Sequence, residues 1–115
     1  MKKVKVVFGS DISDFAGELI DAWREENWRK DSNRLILESE NYRMEVYGYD
    51  TVPERALWFL QKYEESEDRV LILDIEDKDK ELIEEALGFL SFASVEPKKG
   101  EVFGQYSVIS GFAIY

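Results

Sequence analysis

The chain has 115 residues, 25 acidic against 15 basic side chains, a formal net charge of −10, and neither cysteine nor histidine. That length suits one domain, residues 1–115, and 44% hydrophobic with 14% aromatic content is too apolar for a disordered polymer. The sign of the charge disfavours nucleic-acid backbones and anionic membranes, while the missing Cys and His exclude disulfides, thiolate nucleophiles, Ser-His-Asp relays and Cys- or His-ligated metals.

Residues 4–8, Val-Lys-Val-Val-Phe, predict a first strand, broken by Gly9-Ser10-Asp11. Ile12, Phe15, Ala16, Leu19, Ala22 and Trp23 then recur at helical spacing, with Ser10 or Asp11 placed to cap the helix. The pattern fades through residues 27–33, which read as a polar connector. Residues 35–37 and 42–49 predict an antiparallel hairpin, its second strand alternating Tyr42, Met44 and Val46 with Arg43, Glu45 and Tyr47. Thr51 and Glu54 have the spacing of a capping box, with Pro53 suited to a first turn, ahead of a helix through Ala56, Leu57, Phe59, Leu60 and Tyr63. Residues 70–75 are aliphatic except for Asp74 and give the clearest strand. A third helix carries Leu82, Ile83, Ala86, Leu87, Leu90 and Ala93 on one face, with Asp77 or Asp79 as its cap. Pro97-Lys98-Lys99-Gly100 predicts a turn, and residues 101–115 one bent strand or two short ones, with Gly104 and Gly111 as marks of a bulge or bend.

The order β-α-β-β-α-β-α-β predicts an α+β domain: a split βαβ, ferredoxin-like core with a C-terminal α-β(β) extension. A mainly antiparallel sheet would carry helices on one face, with a three-layer α/β sandwich as the alternative. The first apolar run is too short for a signal-peptide core and no run approaches a membrane span, so a cytoplasmic setting is expected. Many charges beside few Gln, Asn and Thr resemble a thermophile's composition.

Three groups of residues bear on function. The turn Gly9-Ser10-Asp11 is better explained as a helix cap than as an anion site, because Asp11 and Asp14 would repel an anion and no P-loop pattern follows. Asp11, Asp74 and Asp77 are candidate Mg²⁺ ligands, since such a metal needs only oxygen donors. They would have to meet at one end of a sheet, and the competing role for Asp77 is a helix cap. Trp28, Tyr47, Tyr49, Phe112 and Tyr115 are candidate interface residues, aromatics on both parities of a sheet being suited to a covered face. The composition favours a noncatalytic domain without cofactor, acting by self-association as a homo-oligomer or on a basic protein partner. The alternative is a carboxylate and Mg²⁺-dependent enzyme on a phosphorylated small molecule or nucleotide.

Overall fold

The computed structural model describes residues 1–99 and 104–115. In chain order its elements are β1 (Lys2–Phe8), α1 (Ala16–Arg24), β2 (Trp28–Asp31), β3 (Arg34–Glu38), β4 (Tyr42–Tyr47), α2 (Ala56–Ser66), β5 (Val70–Ile75), α3 (Lys80–Ser91), β6 (Ala93–Pro97), β7 (Tyr106–Ser107) and β8 (Ile109–Ile114). The α+β class and the antiparallel pairing are as the pattern of the sequence predicts. Hydrogen bonding divides the strands between two sheets, one in the order β5-β1-β8 and one in the order β2-β3-β4-β6-β7. The chain crosses from the second sheet to the first at Val108, between β7 and β8. Residues 101–103 of the expected last strand, and Gly100 of the expected turn, lie outside the described residues.

Period-two alternation sets the faces of both sheets. In β1, Val4, Val6 and Phe8 are fully buried while Lys3 and Lys5 face solvent. In the larger sheet, Leu35, Leu37, Met44, Val46 and Val95 point into the same core, which α1, α2 and α3 complete with Leu19, Phe59, Leu60, Leu87 and Leu90. The opposite face of this sheet is a lattice of charge. Arg29 and Arg43 both reach Glu38, at 2.8 and 3.3 Å, with Lys98 at 3.1 Å, and Arg34 spans Asp31 and Glu45 at 3.0 and 2.8 Å. Ile36 lies on that charged face and is nonetheless fully buried.

Three local expectations need correction. The connector at residues 27–33 forms β2, which pairs with β3 through a turn at Ser32 and Asn33, with Ser32 at φ 59°. As an edge strand with one wet face, it sets a single half-buried residue, Trp28, against the core, and its polarity hides the alternation. Ala93 lies on β6 opposite Val46, because the third helix ends at Ser91. Among the described residues no side chain caps α1, α2 or α3 in the predicted way. A 3-10 turn, Ile12–Asp14, precedes α1, and α2 begins at Ala56 without the Thr51–Glu54 box. A second 3-10 turn, Asp77–Asp79, leads into α3, again without a side-chain cap bond. Gly111 does mark an irregularity: Val7 faces Gly111 and Phe8 faces Ile109, leaving Ser110 as the extra residue of a bulge.

Candidate functional site

Among the described residues four strands lie at sheet edges, and three of them carry features that discourage further pairing. β2 is short and presents Arg29 and Lys30, β7 has two residues, and β8 is bent by the bulge at Ser110 beside Gly111. β5 is neither short nor bulged, and its one charge, Asp74, is paired with Lys3. It is a six-residue run, Val-Leu-Ile-Leu-Asp-Ile, without Pro, Gly or Lys. Val70 is 46% exposed and Ile72 59%, and Leu71 and Leu73 are only partly covered.

The ladder to β1 shows which backbone groups of β5 are spent. Phe8 N–H donates to the Arg69 carbonyl at 2.7 Å, which makes Phe8 and Arg69 a hydrogen-bonded pair. Alternation along the register then assigns Val6 to Leu71 and Val4 to Leu73 as the next bonded pairs. On the other side of β1, Lys3 and Tyr115 exchange both of their backbone bonds, at 2.7 and 2.9 Å, in keeping with the same phase. The N–H and C=O groups of Val70, Ile72 and Asp74 therefore point away from the sheet, along its open edge.

Beside this edge runs an open groove of about 430 Å³, lined by Arg55 and Trp58 from α2 and its approach, Leu73, Asp74 and Ile75 from β5, Glu76, Lys78 and Asp79 beyond it, and Ile83 from α3. Trp58 is 38% exposed, packs edge-on against Phe59, and has the Lys62 ammonium 5.2 Å from its ring. On the other face of the same sheet, Tyr115, Ala113, Lys5, Ile72 and Val70 are exposed and Val7 is half-buried. Lys3 is the partner of Asp74 there, at 3.0 Å.

The structure does not bring Asp11, Asp74 and Asp77 together. Asp11 follows the C-terminal end of β1, whereas Asp74 pairs across to Lys3 near its N-terminal end. Asp77 lies 3.5 Å from the Met1 amine. Among the described residues no cluster of three or more carboxylates is arranged to hold a cation. Among the described residues, the carboxyls with displaced pKa values are all displaced downward. Glu38 is held at about 2, first by Arg29 and then by Lys98. Lys30 lowers Asp50. Burial alone would raise Glu18, but its hydrogen bonds from Ser39 and Asn41 outweigh that and pin the β3–β4 turn to α1. Such carboxylates are ionised acceptors in structural pairs, unsuited to donating a proton near neutral pH.

The candidate interface aromatics separate into three places. Trp28 packs edge-on against Trp23 and near Phe89, with ring centroids 5.1 and 5.9 Å away, and its buried Nε1 has no hydrogen-bond partner among the described residues. Tyr47 and Tyr49 share a cleft with Asn33, Gly48 and the 66% exposed Phe92, Tyr49 being half-buried against Phe89. Phe112 and Tyr115 belong to β8 and its end, on opposite faces of the smaller sheet. Sequence reasoning passed over Val70 and Ile72. The signal was available: an aliphatic strand bracketed on both sides by runs of acid is one whose ends, and whose edge, lie in water.

No protein-family model matches the chain, and comparison with curated proteins and with solved structures gave no match. The site must speak for itself. Among the described residues no helix is long and apolar enough to cross a membrane.

Proposed function

We propose that this chain is a noncatalytic association domain whose working surface is the open edge of β5. The observation that supports it is the contrast among the edges: three are short, charged or bulged, and the fourth is a regular aliphatic strand with backbone donors and acceptors directed outward. A native protein that leaves such an edge bare risks indiscriminate pairing, so its retention favours a use. Strand addition to that edge would supply backbone hydrogen bonds, while the groove at Trp58 and the surface at Ile72 would receive alternate side chains of the added strand.

Selection of short random peptides on the immobilised chain tests this reading. Ile72→Pro and Val70→Pro each remove one outward N–H and leave the bonds to β1 intact, and proline is tolerated at such edge positions. Enriched sequences should alternate apolar residues without proline and should bind either variant at least tenfold more weakly, while Arg43→Ala, on the other sheet, leaves binding unchanged. Circular dichroism establishes that each variant is folded. Binding that ignores both prolines, or no enrichment at all, refutes the proposal.

A further inference from the structure

Strand addition leaves open what is added, and the charge around β5 narrows the answer. Residues 62–85, which contain β5, hold eleven of the 25 acids and four of the 15 bases, a net −7 out of −10. The acids bracket the strand on both sides, with Glu64, Glu65, Glu67 and Asp68 before it and Glu76, Asp77 and Asp79 after it. Some are already engaged: Glu65 with Lys62, Glu76 with Lys78, Asp77 with the Met1 amine and Asp79 with Arg55. For Glu64, Glu67 and Asp68 no ion pair is present among the described residues, and all three are exposed.

A second copy is a poor occupant of this edge. With Ile72 on a two-fold axis, the antiparallel pairing of β5 with itself sets Asp68 opposite Glu76 at both ends. It also lays one −7 segment along another. Like charges directly opposed across strands are destabilising, and few bases are at hand to relieve them.

Resting on the association reading above, we propose that the β5 edge takes an extended segment of another protein, apolar at alternate positions and flanked on both sides by Lys or Arg. The apolar side chains lie over Trp58 and Leu73 on one face, and the residues between them face outward beside Ile72 on the other. The basic flanks meet Glu67 and Asp68 at one end and Glu76 and Asp77 at the other. Backbone pairing supplies the attachment, and the paired acidic ends select the partner and speed its approach.

Three synthetic peptides share the centre Val-Thr-Val-Thr-Val and carry two Lys, two Ser or two Glu residues at each end. Their affinities for the intact chain are read by Trp fluorescence or calorimetry, in 50 and 500 mM NaCl. The Lys-flanked peptide should bind at least tenfold more tightly than the Ser-flanked one at low salt and lose most of that advantage at high salt. Glu67→Gln with Asp68→Asn should weaken the Lys-flanked peptide several-fold and leave the Ser-flanked one unchanged. If the Lys- and Ser-flanked peptides bind alike, and both are lost in Val70→Pro, the basic-partner inference fails while the association reading stands. If none of the three binds, both fail. A sedimentation equilibrium that shows a dimer abolished by Val70→Pro overturns the foreign partner in favour of a second copy.

Discussion

The Glu38 carboxylate is the hub of the charged sheet face, and replacing it with Gln should make the stability of this protein less dependent on acid. Arg29 approaches it at 2.8 Å, Lys98 at 3.1 Å and Arg43 at 3.3 Å, and together they lower its pKa to about 2 from 4.5. A displacement of that size corresponds to roughly 3 kcal/mol in favour of the folded state. The side chain is 30% exposed and its partners are partly in water, so solvent screening reduces the expected contribution to ~1–2 kcal/mol. Because the folded pKa lies below the unfolded one, this stabilisation is complete above about pH 5. It is lost as pH falls through 4.5 toward 2, and by pH 3 more than half should be gone. Urea unfolding of the parent and of Glu38→Gln, at intervals from pH 7 to pH 2.5, gives the difference directly; urea is preferred because guanidinium would screen the pairs. The two curves should be separated by ~1–2 kcal/mol at pH 7 and should converge on acidification. A separation that stays constant down to pH 2.5, or that is absent at pH 7, refutes the assignment of Glu38 as a charged hub.

Gly9→Ala should cost about 3 kcal/mol or more, because a β-carbon there would stand 2.1 Å from the Ser107 carbonyl oxygen, where the backbone of residues 107–108 closes on β1. Gly111→Ala meets nothing within 4 Å and should change the urea midpoint little, so equal effects of the two substitutions would contradict the close approach at Gly9. Phe89→Ala removes a fully buried ring that packs against Trp23, Trp28 and Tyr49, with a loss of ~3–5 kcal/mol expected. Since two tryptophans border the vacated space, the folded variant should also emit at longer wavelength. A blue or unshifted spectrum with unchanged stability would count against the cluster.

Periodicity carried most of the fold because the relevant segments bury a whole face. Val4, Val6 and Phe8, or Leu19 and Trp23, announce themselves by spacing alone. The pattern fails where burial is one-sided and brief. Trp28, half-buried against the core, is the one apolar residue of β2, so the strand reads as a polar connector. Ala93 continues the apolar spacing of α3 even though the chain has already turned into β6. Capping residues misled for a different reason. Ser10, Asp11 and Thr51 all have the right chemistry, but the 3-10 and turn segments after them delay the helices beyond their reach. The candidate site was hidden at the level of pairing. Nothing local in Val-Leu-Ile-Leu-Asp-Ile says whether one neighbour or two will bond to it, and it is the antiparallel register with β1 and the absence, among the described residues, of a second neighbour that expose Val70 and Ile72.

The acidic surface and the bare strand then become two parts of one arrangement. An aliphatic edge of this length, left unguarded, would pair with its own copies. Lysine on the strand, proline or a bulge would prevent that, but each would also spoil the edge for a partner. Charges set beyond the ends of the strand, as Glu67, Asp68, Glu76 and Asp77 are, oppose the identical edge without touching the backbone groups of Val70, Ile72 and Asp74. Repulsion of this kind has a sign, so on the proposed reading it would discriminate, turning away another acidic copy and attracting a basic strand. The same charge is thereby expected to keep the chain monomeric and to choose its partner, whereas the ion-paired lattice around Glu38, on the other sheet, spends its carboxylates within the molecule.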